Sequence, residues 1–419
     1  MPSSAEMDLI TAKPPTKGRS AAYLMCWLLG LGSLFTWNSM LTVMDYYSHV
    51  FPDYHPSRVL TLVYQPFAFI TVGILTYYEA KVDTRFRILF GFSVFFVSST
   101  LVPILDLATS GHGGIGPYIG VCVLSACFGL ADAFVQGGIV GDLSYMHPNF
   151  LQSFSAGLAA SGAATSSLRL ITKASFPDTK VGLRKGALTF FFISAFFELL
   201  CLILYAVVFP KLEMVKHYRK TAALEGATTV NADLAAAGVV VTDLEKDSEK
   251  GNTRLSSLAL LSQNVDYAFD VFAIYVLTLS IFPGFLAEDT GSHSLGSWYV
   301  VVLITMYNLG DLVGRYLPLI KAIKIKSRVG ILAAVVARFA FIPAFYLTAK
   351  YGDQGWMLML CILLGITNGH LTVCVLVEAP RGYKGPEQNA IGNILVFFLL
   401  GGIFAGVTLD WLWLIGKGW

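Results

Sequence analysis

Eleven stretches of the 419-residue chain are apolar over the roughly 20 residues that a helix needs to cross a hydrocarbon core of about 30 Å. They run over 21–44, 59–79, 86–107, 117–142, 150–172, 187–209, 267–287, 298–320, 328–349, 355–379 and 389–414. Only 13% of the residues are charged, too few to cover a water-facing surface, so a soluble globule is excluded. The chain reads as an all-α polytopic membrane protein with eleven transmembrane helices. The first stretch lacks a small-residue cleavage site and is too long for a signal sequence, so it is expected to stay as a helix. The six cysteines all lie inside apolar stretches and read as packing residues. A net charge of +2 gives no electrostatic case for nucleic acid as a partner.

An odd number of spans puts the termini on opposite sides. With the N-terminus inside, 19 of the 29 Lys and Arg residues fall in cytosolic segments, which predicts a cytosolic N-terminus and an extracellular C-terminus. Lys81, Arg85 and Arg87 are counted there as one loop group, and Asp142 is placed at the cytosolic surface. Lys173, Lys180, Arg184 and Lys185 run against the bias. The long polar segment 210–262 holds seven acidic and seven basic residues, including the charged run 242–250. Balanced charge and few aromatics describe a flexible cytosolic loop. The expected organisation is therefore a cytosolic tail (1–20), a six-helix bundle (21–209), the flexible loop (210–262) and a five-helix bundle (263–419).

A charge in hydrocarbon costs at least about 2.5 kcal/mol, so intramembrane charges are expected to face protein or a water-filled cavity. In span eight, Asp311 and Arg315 are four apart and share a helix face, with Asn308 three before Asp311. Asp311 lies about ten residues from Lys321, near the bilayer midplane at 1.5 Å per residue. That depth favours a substrate site; the competing reading is a latch that only holds two bundles together. In span four, Asp132 and Gln136 share a face beside Gly137, Gly138 and Gly141, which permit either a close backbone approach or a local break. The Gln136 amide both donates and accepts and suits a nucleobase edge; the competing reading is a helix–helix hydrogen bond. In span one, Trp37 followed by Asn38 offers a flat ring beside an amide, although a lone Trp also reads as an interfacial residue.

Other intramembrane polar groups have less pattern around them. The small residues of Ser153–Ser167 in span five suit a packing and sliding seam. Glu198, Arg169 and Arg338 have no partner evident in the sequence, and Asn368, His370 and Glu378 stand in the inner half of span ten. Asp132 is the first candidate for carrying a proton, because a charged carboxylate is costly at its depth. Glu378 is the second and poorer candidate, expected to be hydrated near the helix end.

Trp37-Asn38, Gln136-Gly137 and Asn308-x-x-Asp311-x-x-Gly314-Arg315, on eleven spans with a long loop after the sixth, resemble the equilibrative nucleoside transporters over essentially the whole chain. Phe51-Pro-Asp-Tyr-His-Pro-Ser-Arg58, Tyr351-Gly-Asp-Gln-Gly-Trp356 and Lys384-Gly-Pro-Glu-Gln-Asn389 resemble the plant members in particular. The resemblance implies a major-facilitator-like 6+5 fold with one central cavity that exposes a nucleoside to each side in turn. It also implies that Trp37, Gln136, Asp311 and Arg315 line that cavity, with Leu34 and Leu41 as apolar neighbours of Trp37. Gly138 and Asp132 depart from some animal members. Purine and pyrimidine nucleosides are the implied substrates, with nucleobases an open extension. Proton coupling is left open against purely equilibrative transport, and the plasma membrane is favoured over the vacuolar one.

No Gly-x-x-x-x-Gly-Lys-Ser/Thr loop occurs, so transport is expected to follow a gradient, with no enzymatic step, metal or cofactor. A receptor would normally show seven spans, and a channel would want a re-entrant filter or a ring of charge. An intramembrane aspartyl protease needs a Gly-x-Gly-Asp element where this chain has Asn308-Leu-Gly-Asp311. A sugar or organic-cation facilitator is the runner-up, since a sugar carrier also uses Gln, Asn and Trp.

Overall fold

A computed structural model describes residues 18–43, 46–47, 50–54, 56–78, 82–144, 146–175, 179–222, 224, 255–288, 294–295, 298–351, 354–384 and 386–414. Their regular structure is helical. The principal helices are α1 (Arg19–Thr42), α2 (Pro56–Tyr77), α3 (Thr84–Ala108), α4 (Ile115–Ser144), α5 (Pro148–Ser175) and α6 (Lys180–Ile203). They continue with α7 (Val265–Leu279), α8 (Tyr299–Tyr316), α9 (Arg328–Arg338), α10 (Phe341–Tyr351), α11 (Gln354–Glu378) and α12 (Pro386–Asp410). Of the predicted domain ends, 1–17 and 415–419 lie outside the described residues. So does most of the expected flexible loop, 223 and 225–254, with its charged run; residues 213–222 and 257–263 at its two ends are helical.

Among the described residues ten helices are long and apolar enough to cross a membrane. The fifth predicted stretch forms α5, 28 residues long but not among those ten. Its glycines, alanines and serines suit contact with other helices more than contact with lipid. Side-chain oxygens close several helix starts by accepting from backbone N–H groups, Asp83 from Phe86 at 2.7 Å and Ser327 from Gly330 at 3.3 Å. The ninth predicted stretch is interrupted at Phe339–Ala340, between α9 and α10. Pro343 has no N–H to return to the Phe339 carbonyl, which accounts for the break at that place. The eleventh stretch begins earlier than expected, at Pro386.

Backbones cross closely where glycine removes the side chain. A Cβ on Gly30 of α1 would stand 2.1 Å from the Phe154 carbonyl oxygen of α5, and one on Gly157 would stand 2.0 Å from that of Trp27. The α8/α11 crossing uses four glycines. Added Cβ atoms at Gly310, Gly314, Gly365 and Gly369 would all meet backbone oxygens of the facing helix at 2.2–2.5 Å.

Three charges sit differently from the sequence expectation. Arg87 is not a loop residue: it is only 3% exposed, donating to the Asn393 side chain on α12 at 2.7 Å and to the Ala133 carbonyl on α4 at 3.3 Å. Gly137 and Gly138 make the room, since α4 runs unbroken through them and Cβ atoms there would strike Arg87 and Ile88. Of the two options for those glycines, close approach is the one realised. Asp142 is buried instead of lying at the surface, because Arg219 pairs with it at 2.6 Å. Glu378 is 5% exposed, not hydrated, because Lys324 (2.9 Å) and Arg381 both reach it.

Candidate functional site

Two buried polar clusters gather the predicted residues. The first belongs to α1, α2, α4 and α6. Trp37 lies against Tyr64 of α2, their ring centroids 3.9 Å apart and their planes 20° from parallel. One face of the indole is thus covered by a second aromatic ring, which fixes its plane. Gln136 donates its amide to Asp132 at 2.5 Å, one turn earlier on α4. The buried Tyr64 hydroxyl lies beside Asp132. Next to Trp37, Thr36 donates to the buried Glu198 of α6 at 2.8 Å. Trp37, Tyr64, Asp132 and Gln136 are therefore neighbours in one buried cluster, with Glu198 beside it. Leu34 and Leu41 are half-buried against the main apolar core.

The second cluster belongs to α8 and its neighbours. Asp311 and Arg315 form a buried ion pair at 3.0 Å, as their i, i+4 spacing predicts. The other Asp311 oxygen accepts from Asn368 of α11 at 2.7 Å. Arg315 also donates to the Ser155 carbonyl at 3.0 Å and hydroxyl at 2.7 Å, both on α5, and to the Tyr275 hydroxyl of α7 at 3.4 Å. Gln152 of α5 returns a hydrogen bond to the Arg315 carbonyl at 3.3 Å. Hydrogen bonds to charged groups of this kind contribute about 1.5–3 kcal/mol each, because the alternative is an unsatisfied buried charge.

Helix α5 lies between the two clusters. Ser161 accepts from Asn38 of α1 at 2.6 Å, and Ser166 accepts from Asn308 of α8 at 2.7 Å. The Asn308 side chain rests over Gly162. The small residues read as a seam thus receive polar side chains from both sides. Among the described residues no hydrogen bond joins Trp37 or Gln136 directly to Asp311 or Arg315. Asn38, next to Trp37 in sequence, and Asn308 and Arg315 all bond to the same helix, α5.

Sequence reasoning missed Tyr64, Ser155, Tyr275 and Thr278, and left Arg338 without a partner. Arg338 donates to the hydroxyls of Thr278 (2.8 Å) and Thr367 (3.0 Å) and to the Ile274 carbonyl (3.1 Å). A signal for the helix crossing was present in Gly310-x-x-x-Gly314 and Gly365-x-x-x-Gly369. Among the described residues no group of His, Cys, Asp and Glu could hold a metal ion.

The model of the family described as "Nucleoside transporter" matches residues 120–415. "Equilibrative nucleotide transporter 3" of Arabidopsis thaliana is 64% identical over 413 residues, covering 98% of this chain and 99% of its own. "Equilibrative nucleotide transporter 1" of the same plant is 32% identical, over 97% of this chain and 88% of its own. Among solved structures, a major facilitator superfamily proton:xylose symporter aligns with a TM-score of 0.62 at 12% identity, over 95% of this chain and 89% of its own. The Escherichia coli fucose:proton symporter aligns at 0.56 and 12% identity, over 94% and 96%. At those identities the likeness speaks for the fold alone: the helices are arranged as in major facilitator proteins.

Proposed function

Since this chain belongs to the nucleoside transporter family and carries nucleosides across a membrane, we propose that it does so by alternating access through one cavity between a six-helix bundle, residues 21–209, and a five-helix bundle, residues 263–419. On this reading α5 counts as the eleventh span, the N-terminus is cytosolic and the chain resides in the plasma membrane. The observation that carries the proposal is the pairing of a fixed aromatic face with a buried Asp–Arg pair across α5. A nucleoside has one flat aromatic face and two hydrogen-bonding ends. Stacking on Trp37 takes the face without selecting the base. Gln136 and the Asp311/Arg315 pair divide the base edge and the ribose hydroxyls between them, with Asn308 and Asn38 holding the walls.

The relatives' names speak of nucleotides. A neutral nucleoside needs no phosphate clamp, and the Arg315 guanidinium is already engaged by Asp311 and Ser155. Uptake of radiolabelled uridine into intact cells is the test, competed in turn with adenosine, AMP, glucose and a quaternary amine. Adenosine is expected to compete and the other three are not. Competition by glucose with none from adenosine would make the chain a sugar facilitator instead.

Coupling to protons, where present, is assigned to Asp132. It faces Gln136 on its own helix and Tyr64 on α2, with the Glu198 carboxylate of α6 within electrostatic reach, and no cation bonds to it among the described residues. Glu378, paired with Lys324 and Arg381, is the second candidate. Asp132→Asn keeps size and the bond to Gln136 while removing titration. The mutant is expected to retain nucleoside exchange and to lose any stimulation of uptake by external acid, read as uptake at two external pH values. Unchanged acid stimulation would exclude Asp132 as the carrier.

A further inference from the structure

Arg338 is buried on α9, and among the described residues no carboxylate forms a salt bridge with it. An isolated buried guanidinium is costly unless its charge is answered somewhere. Its bonds lead to an answer. Arg338 Nη2 lies 2.8 Å from Thr278 Oγ1, which lies 2.8 Å from Asn368 Oδ1, and Asn368 Nδ2 lies 2.7 Å from Asp311 Oδ1. Asp311 is also the carboxylate whose field reaches Arg338.

The direction of each bond follows from which groups can donate. Ionised Asp311 only accepts, so the Asn368 amide must turn its NH₂ toward it. That leaves the amide oxygen facing Thr278, which must then supply its single hydroxyl hydrogen. The Thr278 oxygen in turn accepts from Arg338, which only donates. The Ile274 carbonyl lies equally close to Thr278 Oγ1, at 2.8 Å, but it already accepts from Arg338 Nη1 at 3.1 Å, whereas the Asn368 oxygen facing Thr278 has only that hydrogen to take. All three bonds therefore point the same way, from cation to carboxylate, and successive bonds of one sense polarise one another.

We infer that Arg338, Thr278 and Asn368 are positioning residues for Asp311: a one-way hydrogen-bond relay through α9, α7 and α11 that holds its carboxylate for the nucleoside. The relay leaves Asp311 one oxygen on Arg315 and one on Asn368, with two lone pairs still able to take ribose hydroxyls. This rests on the reading of Asp311 and Arg315 as part of the nucleoside site.

Thr278→Val removes the hydroxyl at constant shape, and Thr278→Ser restores it. Radiolabelled uridine uptake by the full-length protein, normalised to surface amount, gives KM and Vmax, and thermal unfolding of the purified protein reports stability. Thr278→Val is expected to raise KM about tenfold or more, with Vmax and thermal midpoint little changed, and Thr278→Ser to bring KM back. Lowered Vmax or stability at parental KM would make Thr278 a structural residue and overturn the relay. If Thr278→Val does not reach the surface, Thr278→Cys must raise KM in its place, since a thiol is a weak donor; parental KM there overturns the relay equally. Asp311→Asn separates the two readings. Parental KM in Asp311→Asn removes Asp311 from the site and the relay with it. Loss of uptake in Asp311→Asn beside parental KM in Thr278→Val removes the relay alone.

Discussion

Arg315→Ala is expected to abolish nucleoside uptake while leaving protein at the membrane surface, and Asp311→Ala is expected to do the same. Each partner of the buried pair holds the other at 3.0 Å. Removing Arg315 leaves Asp311 with Asn368 as its only bonded donor among the described residues. Breaking a buried pair costs about 3–5 kcal/mol, a factor of more than a hundred in any equilibrium that depends on it. The measurement is uptake of radiolabelled uridine per molecule at the surface, and parental uptake in Arg315→Ala would remove the pair from the site. The double exchange, Asp311→Arg with Arg315→Asp, separates a substrate site from a latch. In the exchanged protein an arginine would meet the NH₂ of Asn368, donor against donor. Flipping that amide would turn its NH₂ toward Thr278 and reverse the bond there, sending the Thr278 hydroxyl hydrogen to the Ile274 carbonyl 2.8 Å away. Transport is therefore expected to stay lost, whereas a latch that needed only opposite charges would be restored.

Gly369→Ala is expected to damage both stability and affinity, and Gly365→Ala mainly stability. Helices in lipid associate through close packing and hydrogen bonds, without the hydrophobic drive that works in water. At Gly365 a Cβ would stand 2.2 Å from the Tyr307 carbonyl oxygen, and at Gly369 it would stand 2.2 Å from the Asp311 carbonyl oxygen and 2.9 Å from Arg315 Cγ. Backbone cannot rotate away as a side chain can, so α8 and α11 must separate. Overpacking of this kind costs about 1–3 kcal/mol. At Gly369 the separation moves the two residues of the ion pair themselves. Thermal unfolding in detergent and uridine KM report the two effects, and Gly116→Ala, whose Cβ meets nothing within 4 Å, is the control expected to change neither.

Much of this site was legible because helical spacing is local. Four residues put Asp311 under Arg315 and Asp132 under Gln136, and both pairs are bonded. The angle at which one helix faces another was not legible. Nothing near Trp37 in the sequence shows that Tyr64 would cover its ring, and Asn368 reaches Asp311 across 57 residues of chain. The glycines at 310, 314, 365 and 369 announce that two helices will cross closely, but not that they cross each other. Arg87 was misplaced for the same reason. Its position near the end of a hydrophobic stretch looked like a loop, and only the assembled surface of α4 reveals a hole the size of a guanidinium beside Gly137.

The serine-rich face of α5 has a consequence for speed. Across it Arg315 reaches a serine carbonyl and hydroxyl and Asn308 reaches a serine hydroxyl, while no carboxylate of α5 takes part. Each such contact is individually modest, and Ser155 and Ser166, eleven residues apart, place the two about three turns from one another on the side of α5 that meets α8. A grip made of separate bonds spaced in this way can be released one bond at a time, so no single rupture has to break all of it. A carrier driven by the substrate gradient alone works best when its two orientations are nearly equally populated, since a bias of about 5.5 kcal/mol is enough to move a population from 1:99 to 99:1 and strand the empty protein on one side. On the proposed alternating access, a seam gripped by serines and not by carboxylates of its own adds little to such a bias.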